Sequence, residues 1–247
     1  MKKLFALLAV VVLLLGLAAC NSTEDSTASP AETSAAASDQ LLTLISQPEY
    51  VLYQNIFFNK QADDYVNKQA VKEGTFTRLE DRFNGVTRYY VWGYYDNTKC
   101  CDWQWEFVPG DPASLPANGS RVKMTGTLAY DEAALDKYWF VDTTLEVETA
   151  YTGPTADVDM CCMSGTLERV QLINMQVYPE DFAGKTVRAY GRILQPDTLQ
   201  HPYYDGNWTQ KFETSGEVPA IGTLVIASGK WNGGTLEETT LAATKDY

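Results

Sequence analysis

The 247-residue chain carries two adjacent cysteine pairs, Cys100-Cys101 in "TKCCDWQ" and Cys161-Cys162 in "DMCCMSG", the second flanked by Met160 and Met163. Three chemistries suit them. Neighbouring Cα atoms lie about 3.8 Å apart, short of the roughly 4.4 to 6.8 Å usual for a disulfide, so a bond within a pair is strained and bonds between the pairs are favoured. A cross-link between Cys100 and Cys161 would close a loop of ~60 residues and stabilise the fold by about 4 kcal/mol if loop entropy dominates. If instead the pairs converge at strand ends, Cys100, Cys101, Cys161 and Cys162 make a four-thiolate set suited to tetrahedral Zn, which the methionine thioethers would tilt toward Cu. Adjacent cysteines chelate less well than C-x-x-C, because both sulfurs must swing to one side. Reversible thiol–disulfide exchange and buried thiols complete the alternatives.

Other chemistry-bearing residues are sparse. His201, in "LQHPYYDGNW", is the only histidine, and beside Pro202 it reads as a surface-loop residue. Tyr203, Tyr204 and Trp208 of the same stretch could form a stacking platform for a sugar or peptide, against the alternative of ordinary core or turn aromatics. Acid pairs such as Asp63-Asp64 and Glu237-Glu238 are numerous, but no P-loop, G-x-G-x-x-G, G-x-S-x-G or H-E-x-x-H accompanies them.

The elements that must position these residues read as mainly β. Asn84-Gly85 lies between two runs rich in Thr, Tyr, Val and Phe, a strong hairpin signal. "WQWEF" alternates, placing Trp103, Trp105 and Phe107 on one face, and "RVKMTGTLAY" does the same with Val122, Met124, Leu128 and Tyr130. "FVDTTLEVET" continues with Val141, Leu145 and Val147 inward. Before Gly74, the stretch 41–74 groups its apolar residues as a short helical lead-in broken at Pro48.

"GSRVKMTGTL" and "GKTVRAYGRI" share the pattern G-x-x-V-[KR]-x-x-G-x-[LI], and each follows its own cysteine pair, with 17 and 21 intervening residues. That predicts an internal duplication into two small β-barrel units, 75–150 and 151–247.

The N-terminus sets the compartment. "MKKLFALLAVVVLLLGLAAC" has two lysines, an apolar run too short for the roughly 20 residues of a spanning helix, and small residues before Cys20. Its "LAAC" resembles the lipobox of bacterial lipoproteins, which implies that residues 1–19 are a signal peptide and that Cys20 is lipidated. Acyl chains contribute about 0.8 kcal/mol per buried CH₂, enough together to anchor a domain at a membrane. Residues 20–40, rich in Ser, Thr, Ala and acids, read as a disordered spacer.

The net charge of −13 becomes −15 once Lys2 and Lys3 leave with the signal. An acidic surface repels phosphate backbones, so nucleic acid is excluded as a partner and membrane attachment rests on the lipid. The whole arrangement of strand, "CC", aromatic strand and "VPGDPASLPANGSRVKMTGTL" over residues 85–195 resembles extracytoplasmic bacterial lipoproteins with OB-fold-like β-barrels. The resemblance implies a fold, together with metal-linked roles.

The sequence thus predicts a lipid-anchored extracytoplasmic binding or accessory protein at the cell or outer membrane, without evident catalysis, made of two OB-like units behind a short helical segment. Its partners would be the membrane and a metal ion or an envelope protein. The competing expectation is an extracytoplasmic enzyme, either a carboxylate-dependent hydrolase or a thiol–disulfide oxidoreductase.

Overall fold

Twelve strands, arranged in two six-stranded sheets, dominate a computed structural model that describes residues 42–43, 65–95, 101–130, 138–201 and 209–245. Cys20, Cys100, Tyr203, Tyr204 and Trp208 lie outside the described residues, as do most of the expected helical lead-in and all of the expected spacer. All described residues belong to one unit, Asp39–Tyr247.

The first sheet contains β1 (Leu42–Thr43), β2 (Gln69–Asp81), β3 (Val86–Tyr94), β4 (Asp102–Pro109), β5 (Arg121–Tyr130) and β6 (Tyr138–Thr149). The second contains β7 (Val158–Asp159), β8 (Thr186–Gln195), β9 (Thr198–Gln200), β10 (Thr209–Phe212), β11 (Leu224–Asn232) and β12 (Thr235–Ala243). Two helices, α1 (Gly165–Val177) and α2 (Pro179–Phe182), connect β7 to β8. Among the described residues no helix is long and apolar enough to cross a membrane.

The two sheets follow one plan. Hydrogen bonds run round the circuit β2-β3-β4-β6-β5-β2 in the first and β8-β9-β10-β12-β11-β8 in the second. In both circuits the third and fifth strands run parallel, and every other neighbouring pair is antiparallel. A two-residue strand, β1 or β7, pairs parallel with the first strand of each. It begins 27 residues before that strand in one case and 28 in the other.

A local rule underlies the seam where first and fourth strands pair. Asn67, Gly119, Gly184 and Gly222 all have positive φ, between 66° and 87°. Three residues after each comes a buried small apolar side chain: Ala70, Val122, Val187 or Val225. Seven residues after each comes a glycine: Gly74, Gly126, Gly191 or Gly229. The left-handed backbone aims the N–H of each lead residue at the opposing strand, where it donates to Leu128, Phe76, Trp231 and Ile193 carbonyls respectively, at 2.7 to 2.9 Å.

The two stretches matched in the sequence are instances of this rule that occupy different places in their circuits. "GSRVKMTGTL" is a fourth strand and "GKTVRAYGRI" a first strand. The cysteine pairs occupy non-equivalent places too: Cys101 directly precedes the third strand of its circuit, whereas Cys161 and Cys162 lie between β7 and β8.

Trp103, Trp105, Phe107, Val122, Met124 and Leu128 fill the first circuit as the alternation predicts, together with Phe76, Val91 and Phe140. Tyr130 and Val147 are instead exposed. On β6 the buried residue is Phe140 rather than Val141, because Asp142 adopts φ 51° and shifts the alternation by one. Strand β2 starts at Gln69, so the end of the expected helical lead-in is strand. Its outward Leu79, with Tyr90 and Trp92 of β3, joins the core of the second sheet and α1.

Candidate functional site

The segments that follow Cys101 and Cys162 meet. Asp102, next to Cys101, accepts hydrogen bonds from Thr166 N–H and Thr166 Oγ1, both at 2.8 Å. Gln104 Nε2 donates to Ser164 Oγ at 3.1 Å, and Trp92 Nε1 donates to the Cys162 carbonyl at 3.1 Å. A carboxylate at the first turn of α1 also meets the positive end of the helix dipole.

Around the second pair lies a buried polar cluster set by strand register. Asp159 on β7 stands directly opposite Arg188 on β8, and Arg188 Nη1 lies 2.6 Å from Asp159 Oδ2 with both side chains almost fully buried. The same guanidinium donates to Tyr151 Oη at 3.0 Å and to the Pro154 carbonyl. It thereby pins the linker 150–157 that joins the two sheets. Tyr151 packs on Gly119, where an added Cβ would come 2.7 Å from Cys162 Sγ and 2.8 Å from the tyrosine ring. The close approach and the positive φ of Gly119 both require glycine there.

Burial governs the electrostatics. It pushes the Cys162 thiol up to about 12, with nearby Asp159 adding to the effect, and raises Cys161 further still for the same two reasons. Burial also raises Asp159, against the opposing attraction of Arg188, and pushes Tyr190 up to about 12. The neutral forms are thus favoured around one buried ion pair, and neither thiol is activated as a nucleophile.

Cys161 and Cys162 are thiols, and Cys101 is exposed; no disulfide occurs among the described residues. No group of three or more His, Cys, Asp or Glu among the described residues is arranged to hold a metal ion. Arg188 lies close enough to lower the pKa of both thiols, and its positive charge opposes a cation at Cys161 and Cys162. The described part of the expected four-thiolate set therefore does not fit Zn or Cu.

His201 is buried rather than a surface-loop residue. Its Nδ1 lies 2.8 Å from Glu168 Oε1, with both side chains 3 % exposed or less. Its Nε2 makes no hydrogen bond to a described residue, and neither does the buried Gln171 Nε2 of α1. No local signal announces this pairing, because Glu168 sits on α1 and His201 follows β9.

Above the ion pair opens a cavity of about 470 Å³ between the rim of the first circuit and the linker. Phe76, Arg78 and Tyr89 line it from β2 and β3, Asn118 from the loop before β5, and Tyr151 and Asp159 from the second half. The Asn118 side chain accepts from Arg78 N–H at 3.1 Å, holding the loop to the strand. Asp159 is the only carboxylate among the residues lining this cavity. A second, more open cavity of about 640 Å³ gathers Glu213, Glu217 and Glu238, all exposed, with Glu238 paired to Lys230 at 2.8 Å.

No protein-family model, curated protein or solved structure matches this chain.

Proposed function

We propose that this protein is a lipid-anchored, extracytoplasmic binding module built from two OB-like β-barrel units of one duplicated design, with its ligand seat at the junction between them. The cavity lined by Tyr89, Tyr151, Arg78 and Asp159 carries the reading. It has the size of small-molecule sites and combines aromatic walls with a few polar groups. Binding rather than catalysis is favoured because the adjacent thiols are held protonated and no second carboxylate lines the cavity.

The OB-like reading rests on the shared circuit order and on the parallel pairing of third and fifth strands. The duplication is supported by the same order, by the preceding parallel strands β1 and β7, and by the four-fold seam pattern, and the proposed copies span 42–149 and 158–243. The anchor rests on the "LAAC" ending at Cys20. The cysteine pairs act as structural elements in this scheme, Cys162 by packing against Gly119 and receiving Trp92.

Ligand-observed NMR on the full chain in detergent, with a library of neutral, cationic and anionic fragments, tests the reading. Fragments should bind the wild type and lose binding in Ala113→Trp, which places an indole in the cavity from an exposed position. Absence of any fragment sensitive to that substitution would overturn the assignment.

A further inference from the structure

Among the described residues, the cavity is lined by one cation without an ion-pair partner, Arg78. The Arg78 guanidinium makes no hydrogen bond or ion pair with any described residue, and only its backbone N–H is engaged, by Asn118. Every other described arginine has a partner. Arg78 stands directly across the strand pair from Tyr89, so a planar cation and an aromatic face share the cavity's rim. Asn118 leaves its amide nitrogen unbonded beside them.

At the other side lies Asp159, 4 % exposed, with Oδ2 held by Arg188 and Oδ1 lacking a hydrogen-bond partner. The Cys161 amide and Cys162 thiol lie near enough to stabilise the carboxylate, but neither makes a well-formed bond to Oδ1. Oδ1 is closed off from solvent and Arg188 balances the charge of Asp159, so this carboxylate forms a wall of the cavity and does not repel an anion at its rim.

We propose, resting on the binding reading above, that the cavity takes an acidic sugar, its carboxylate on Arg78 and Asn118 and a C–H face against Tyr89. An arginine fork suits a planar carboxylate, and the aromatic walls suit a sugar's apolar face. The overall charge of −13 opposes an anion only from afar, since screening confines that field to about 10 Å at 0.1 M salt. Close to the site, the unpaired guanidinium is the nearer charge.

Calorimetric titration of the full chain in detergent with D-glucuronate and D-glucose tests this. Glucuronate should bind, glucose should bind at least about 10-fold more weakly, and Arg78→Ala should weaken glucuronate by about 10- to 100-fold. Arg78→Lys should recover part of the loss. Because Arg78 is exposed, these variants keep the fold, which an unchanged unfolding midpoint verifies. Equal affinity for both sugars, or glucuronate binding indifferent to Arg78→Ala, would overturn the inference. So would silence toward glucuronate; if neutral fragments still lose binding in Ala113→Trp, the cavity stands as a binding site and only its ligand class has failed.

Discussion

Lys72 is 2 % exposed, inside the first circuit, with its Nζ 3.4 Å from the centre of the Trp103 ring. Burial, helped by Arg121 and opposed by Glu73, lowers its pKa to about 6. Between that value and the ordinary 10.5 the unfolded chain holds a proton that the folded chain does not, so this residue makes stability rise with pH across the window. Lys72→Met should raise stability by about 1–4 kcal/mol at pH 7, and the gain should vanish near pH 10.5. Urea unfolding at a series of pH values measures it, and a gain independent of pH would contradict the assigned burial. Nothing in "QAVKEGTF" distinguishes Lys72 from a surface lysine except its alternation phase, which it shares with Ala70 and Phe76. The same holds for His201, whose burial depends on a carboxylate 33 residues away.

The element least legible in the sequence is α1. Its buried face includes Glu168, Gln171 and Asn174 among Leu167, Leu172 and Met175, so polar residues interrupt the apolar period a helix normally displays. Its start is fixed by Ser164, whose Oγ accepts from Leu167 N–H at 3.2 Å and also from Gln104 Nε2. Ser164→Ala should therefore cost about 1–2 kcal/mol and accelerate amide exchange in the first turn of α1, while exchange in β11 and β12 stays in line with the global loss. Hydrogen exchange read by mass spectrometry resolves the two regions. The strands were far more legible. Asn84-Gly85 forms the predicted turn between β2 and β3, with Gly85 at φ 66°, and the tryptophans of β4 fall on the predicted face because alternation needs only near neighbours.

At the scale of the whole molecule, the two circuits are joined by a common core. Trp92 leaves the first sheet to pack with Met160, Leu167 and the second sheet's residues, and its indole N–H reaches the Cys162 carbonyl. Trp92→Ala should cost about 3–5 kcal/mol. Unfolding of both variant and wild type should remain one transition, with exchange protection falling in both sheets together. Protection lost in the first sheet alone would show that the halves fold independently.

What the sequence determined by itself was written in short-range pattern: the β character, the hairpin turn and the inward faces of β4 and most of β5, each set by backbone preferences within a few residues. The tertiary structure alone decided the place of each glycine-led strand in its sheet, because first and fourth strands carry the same local motif and differ only in their partners. It also decided that Asp159 meets Arg188, that Asp102 meets α1, and that Arg78 lines a cavity with no ion-pair partner among the described residues. Those facts depend on which distant groups share one desolvated space, and no periodicity along the chain records that.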